Sequence, residues 1–115
     1  MTEFAFLILD AESIRDWTTE QQEAALAAMA AFMAPLRASG RLKETAGLGP
    51  DFDGARVQVA AGAATVTDAP FADAERTIGG YFVVDCASRE EAIELAKSCP
   101  AAERSTVEVR QVWRH

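Results

Sequence analysis

An α+β sandwich, with two helices on one face of an antiparallel sheet and an added β-hairpin, is the fold class the sequence predicts. Three observations predict it. Strand-like and helix-like segments follow one another in the order strand, helix, strands with a hairpin, strand, helix, strand. Both helical segments carry start signals and an apolar stripe. At roughly 100–200 residues per domain, 115 residues make a single domain over 1–115.

Phe4–Leu9 is apolar on both alternating faces and rich in aromatic residues, which predicts a strand inside a covered sheet. Asp10 to Asp16 reads as a polar connector. Thr18 with Gln21 three residues on forms a capping box for the first helix. Leu26, Met29, Phe32, Met33 and Leu36 then fall on one buried stripe. Pro35 removes a helical hydrogen bond and predicts a kink, and Ser39-Gly40 ends the helix with Gly40 as the left-handed residue.

Arg41 to Ala55 reads as a short strand followed by a glycine-rich loop. Arg56–Ala60 and Ala64–Asp68 alternate around Gly62, which predicts a β-hairpin. Asp68-Ala69-Pro70-Phe71 breaks the strand, and residues 72–78 show no clear period. Gly79-Gly80 precedes the strand Tyr81–Cys86 and reads as a close backbone approach at the strand start. No helix follows these glycines, so they do not form a phosphate loop.

Ser88 to Glu91 is a second capping box, opening a helix that buries Ala92, Ile93, Leu95, Ala96 and Cys99 before Pro100 stops it. In the last strand, Thr106–Trp113, Val107, Val109 and Trp113 share one face, and Thr106, Glu108 and Arg110 share the other. This order is that of a ferredoxin-like sandwich. Its second sheet face is left bare, and apolar residues there, such as Phe6 or Tyr81, would invite face-to-face dimerisation.

Composition narrows the function. The net charge is −7, so a phosphate-binding nucleic-acid surface is not expected. The excess acid lies in the helix-bearing segments 1–39 and 67–99, each net −4, which predicts acidic outer helices. Alanine accounts for 24 of the 57 hydrophobic residues, leaving 33 to build a core, so a partner subunit would help. No apolar run reaches the roughly 20 residues of a membrane span, and no basic segment precedes Phe4–Leu9, so a cytoplasmic chain without a membrane role is expected. Cys86 and Cys99 have neither CxxC spacing nor a histidine partner, so inert buried thiols and no metal or cofactor are expected.

The stretch Thr67-Asp68-Ala69-Pro70-Phe71 resembles the YCII-related superfamily and, within it, the DGPF-type branch. Gly47-Leu48-Gly49-Pro50, Gly79 to Val84, Ser88 with Glu91-Ala92, Cys99-Pro100 and Val107 to Arg110 extend the likeness from about Phe4 to Val112. The chain departs from the branch at Ala69, where the motif has glycine, at Glu75-Arg76, where Lys-Glu is common, and at Gln111, where proline is. The resemblance implies a bacterial protein with a ferredoxin-like fold and an added hairpin, assembled as a dimeric α+β barrel. Some members are associated with sigma factors, and others resemble small lyases that use a His-Asp pair. The histidine of that pair lies near the start of the first helix, where this chain reads Thr18 to Glu23; its only histidine is His115.

The candidate site residues are Asp68, Phe71, Tyr81, Glu108 and Arg110. Asp68 reads either as an acid/base at a dimer cleft or as a turn carboxylate accepting backbone N–H groups. Phe71 reads as packing or as a ring against a ligand. Glu108 and Arg110 share a strand face and read as a mutual ion pair or as a polar ligand site with Arg110 holding an anion. The Tyr81 hydroxyl reads as an interface group or as a donor to a substrate, and Trp17 as a helix staple or a pocket-mouth residue. The leading expectation is a homodimeric small-ligand-binding or regulatory module for a polar or anionic ligand. Its rivals are a small lyase or isomerase using Asp68, and an accessory to sigma-factor regulation.

Overall fold

The computed structural model describes residues 1–11, 17–49, 54–68 and 76–114. Its elements are β1 (Thr2–Ala11), α1 (Thr19–Ala38), β2 (Leu42–Gly47), β3 (Ala55–Ala60), β4 (Ala63–Asp68), β5 (Arg76–Cys86), α2 (Arg89–Lys97), a 3-10 turn (Pro100–Glu103) and β6 (Thr106–Gln111). Four strands form an antiparallel sheet in the order β2-β5-β1-β6, and β3 pairs with β4 as a separate hairpin. Each helix links two strands that are separated by a third, the split arrangement of a ferredoxin-like fold.

The register assigns the faces. Phe4 lies opposite Val84 and Phe6 opposite Phe82, and these residues face the helices. The Phe6 and Phe82 rings stack with centroids 4.7 Å apart, and Phe32 of α1 meets Phe82 edge-on at 5.9 Å. Leu36, Ala92, Ala96, Cys86 and Cys99 close the core around them. Burying each phenylalanine contributes about 1.5–3 kcal/mol. The other face carries Ala5, Leu7 and Leu9 with their neighbours Val83, Tyr81 and Ile78. Phe6, expected on that bare face, is fully buried under the helices, because its even position in β1 shares a side with Phe4.

The α1 capping box forms as expected: Thr18 Oγ1 accepts from Gln21 N–H and Gln21 Oε1 accepts from Thr18 N–H. The helix runs through Pro35 to Ala38, and Gly40 takes φ +74°. Leu26 departs from the expected stripe and is 72% exposed. At 100° per residue it stands at the stripe's edge, about 80° from Leu36, above a cavity rather than the sheet.

At α2, Ser88 Oγ accepts from Glu91 N–H, but the Glu91 carboxylate turns to Arg41 instead of completing the expected box. An ion pair outcompetes the weaker reciprocal cap. Arg41 also donates to the Asp85 carbonyl at 3.0 Å and so ties β5 to α2.

Two strand boundaries differ from expectation. β1 extends to Ala11, so Asp10 belongs to the sheet, and β5 begins at Arg76, so Gly79-Gly80 lies inside it. Ile8 pairs with Gly80 and Leu9 with Ile78, which leaves Gly79 as the extra residue of a β-bulge. Trp113 lies past the end of β6 and is 75% exposed, because pairing stops once Val112 N–H has donated to the Glu3 carbonyl.

The hairpin turns at Ala61 and Gly62, with φ values of 50° and 79°. Positive φ at both turn residues is the signature of a type I′ turn, whose twist matches the flanking strands. Every residue of β3 and β4 is exposed. Among the described residues no helix is long and apolar enough to cross a membrane.

Candidate functional site

The sheet has two faces, and each carries polar groups. On the open face, Leu7 of β1 lies between Tyr81 and Glu108, and Ala5 lies between Val83 and Arg110. Tyr81, Glu108 and Arg110 therefore share one surface. They are engaged locally: Arg110 Nη1 lies 3.3 Å from Glu108 Oε2, and the Tyr81 hydroxyl donates to Glu44 Oε1 at 2.5 Å. That hydrogen bond from the neutral phenol pushes the Tyr81 pKa up, because ionisation would set two anions side by side. Asp68 stands apart, exposed at the end of β4 in the separate hairpin. Phe71 lies outside the described residues.

On the helix side, a cavity of about 800 Å³ opens between α1 and the 3-10 turn. Ile8, Trp17, Leu26 and Met29 give it apolar walls, and Asp10, Arg104 and Ser105 bring polar groups. This volume and mixture suit a small-molecule site. Three local devices build it. The bulge at Gly79 makes room for Asp10: a Cβ there would stand 1.8 Å from Asp10 Oδ2. Ser105 Oγ donates to Asp10 Oδ1 at 2.9 Å and fixes one side of the carboxylate. The Arg104 guanidinium lies over the Trp17 ring, 5.0 Å from its centroid, so a flat aromatic and a cation meet at the cavity wall.

Beneath the cavity the Cys99 thiol lies 3.8 Å from Met29 Sδ. Burial pushes its pKa up, only partly offset by backbone hydrogen bonds from Ala101 and Ala102. The Cys86 thiol is likewise raised by burial, against the opposing pull of Arg41. Both cysteines are free. Among the described residues no group of three or more His, Cys, Asp or Glu could hold a metal ion.

Asp10, Ser105 and Arg104 are absent from the sequence-derived candidates. Trp17, which the sequence offers as a helix staple or a pocket-mouth residue, lines the cavity. The signal that could have found Asp10 was Gly79-Gly80. Its close approach is to Asp10 at Gly79 and to the Ala46 carbonyl, 3.0 Å from a Cβ built at Gly80.

Comparison with known proteins adds three findings. An uncharacterised protein of Rhizobium meliloti (strain 1021) is 31% identical over 104 residues, covering 90% of this chain and 84% of that protein. Among solved structures, 5-chloro-2-hydroxyhydroquinone dehydrochlorinase from Burkholderia phenoliruptrix AC1100, in complex with 2,5-dihydroxybenzoquinone, shares the fold. Its TM-score is 0.55 at 16% identity, over 98% of this chain and 94% of that one. The model of the YCII-related domain matches residues 2–115, and with the fold described above this chain belongs to the YCII-related family.

Proposed function

We propose that this YCII-related chain is a homodimeric small-molecule-binding protein, with its site in the cavity between α1 and the 3-10 turn. The ligand is a flat, oxygenated ring. The observation that carries the reading is the meeting of apolar walls with the ordered Asp10–Ser105 pair. The Asp10 carboxylate accepts a ligand hydroxyl, the Ser105 oxygen keeps lone pairs for a second donor, and Trp17 and Met29 cover the ring face. The dehydrochlorinase that shares the fold is described in complex with 2,5-dihydroxybenzoquinone, a ring of this class.

Asp10 also serves an enzyme reading better than Asp68 does. A lyase or isomerase needs its acid/base group beside the substrate, and Asp10 lines a cavity whereas Asp68 stands exposed on the hairpin. The open-face groups are engaged by Glu44 and by each other, which supports ion-pair and interface roles there.

Calorimetric titration with hydroquinone and with catechol, which both keep their hydroxyl protons at neutral pH, tests the site. Binding is expected, and Asp10→Ala should weaken it about tenfold or more, the worth of one hydrogen bond to an ionised group. Absence of binding heat for both rings, or equal affinity in the variant, would overturn the proposal.

A further inference from the structure

A second pocket opens between the start of α2 and the edge strand β6. It holds about 580 Å³, within the range of small-molecule sites, and shares no lining residue with the cavity that contains Asp10. Phe4 and Gln111, which pair in its lining, lie near the Thr2–Cys86 end of the sheet. Ala11 and Arg76, which flank undescribed segments, pair at the opposite end.

Much of the lining is apolar. Phe4 and Val109 belong to the sheet face under the helices, and half-buried Ile93 of α2 joins them while staying outside the core. Trp113 supplies a wall although it is 75% exposed. Glu3 tethers the chain on both sides of this indole. The Val112 N–H donates to the Glu3 carbonyl at 2.9 Å, and Arg114 pairs with the Glu3 carboxylate at 2.6 Å. A tethered but exposed indole offers an apolar face at little further cost in ordering.

The polar lining has one sign. Arg89, Arg110 and Gln111 reach the pocket and no carboxylate does, in a chain of net charge −7. Arg110 has Glu108 at 3.3 Å, whereas the Arg89 side chain makes no ion pair or hydrogen bond among the described residues. The acids beside Arg89 do not serve it. Glu91 is held by Arg41, and Glu90, one residue on, points to another side of the helix. A guanidinium receives a carboxylate through two parallel N–H bonds. Gln111, opposite Phe4 and so on the same face, has an amide to donate.

We propose that this pocket is a second ligand site, for an organic monocarboxylate with an apolar body. Arg89 holds the carboxylate, Arg110 adds positive charge from the sheet edge, and Ile93, Val109 and Trp113 cover the body.

Octanoate tests it, followed by nuclear magnetic resonance of the full, isotope-labelled chain through the indole N–H signals of its two tryptophans, Trp17 and Trp113. Octanoate is expected to shift the Trp113 signal saturably and to leave Trp17 in place. Octanol keeps the body without the charge, and acetate keeps the charge without the body. Each should bind about tenfold more weakly or worse, the worth of one hydrogen-bonded ion pair or of a few buried methylenes. Arg89→Gln, at an exposed position, should bring octanoate down to the level of octanol. An unmoved Trp113, or a shift confined to Trp17, would overturn the site. Equal affinity for octanoate and octanol would overturn the role of charge, and equal affinity for acetate would overturn that of the apolar body. Full octanoate affinity in Arg89→Gln would remove Arg89 as the anchor. If that variant does not fold, Arg89→Lys loses the paired N–H geometry and should still weaken octanoate; unchanged affinity there would refute the anchor as well.

Discussion

Replacing Gly79 by alanine should destabilise the chain through one atom pair. The added Cβ would stand 1.8 Å from Asp10 Oδ2 and 2.7 Å from Asp10 Cγ. Gly79 is outside the left-handed backbone region, so alanine suits its backbone and only the contact is at issue. The carboxylate must swing away and surrender the 2.9 Å hydrogen bond from Ser105. A hydrogen bond to a charged group is worth about 1.5–3 kcal/mol, and partial exposure of this one favours the lower end. Alanine restricts the unfolded chain and returns about 0.4–1 kcal/mol. The net loss is about 1 kcal/mol, or about 4–5 °C in Tm for a domain of this size. The decisive assay is a thermal-melt cycle with Asp10→Ala. With the carboxylate gone, Gly79→Ala should be neutral or raise Tm slightly. If Gly79→Ala costs the same with and without Asp10, the bulge does not exist to admit that carboxylate.

Two titrations follow from the shifted groups. Tyr81 is the sole tyrosine, so ultraviolet absorbance follows it directly; its phenol should ionise above the ordinary range, and Glu44→Gln should return it there. Cys86 and Cys99 should resist a thiol reagent until the chain is unfolded, since both are buried. Their raised pKa values also set a sign. Above the ordinary thiol range, about 8.5, the unfolded chain releases these protons while the folded chain keeps them. Stability is therefore held below that pH and falls as pH rises toward the folded values. Chemical denaturation at stepped alkaline pH should show the fall, and Cys99→Ala should flatten it.

The fold was legible where local chemistry and tertiary need agree. Phe4, Phe6, Phe82 and Val84 occupy alternating positions in strands of high intrinsic preference, and the sheet pairs them face to face. Thr18 and Gly40 act within a single turn of α1, so three or four residues suffice to read them. Leu26 and Glu91 misled for the opposite reason. Each satisfies a local pattern, but the outcome depends on what a distant element provides. A cavity stands where Leu26 would need a sheet, and Arg41, 50 residues away, takes Glu91 from its cap. Periodicity says which residues could be buried; only packing decides which are.

The candidate site was less legible because it depends on a slip in register. With regular pairing, one residue of β5 faces one of β1, and nothing in the sequence near Asp10 marks it as more than the start of a polar connector after an apolar strand. The extra residue at Gly79 breaks that regularity, and the missing Cβ opens the space into which the Asp10 carboxylate turns. Ser105, 95 residues further along the chain, then holds it. Three elements must meet before the carboxylate has a defined position, and none carries a motif. The open face shows the converse. Glu108 and Arg110 were conspicuous because they sit two apart on a strand, and the same closeness lets them neutralise each other at 3.3 Å. A spacing that is easy to see in a strand is also one that a chain satisfies by itself. In the proposed site, the group offered to a ligand is the one whose partners come from far away.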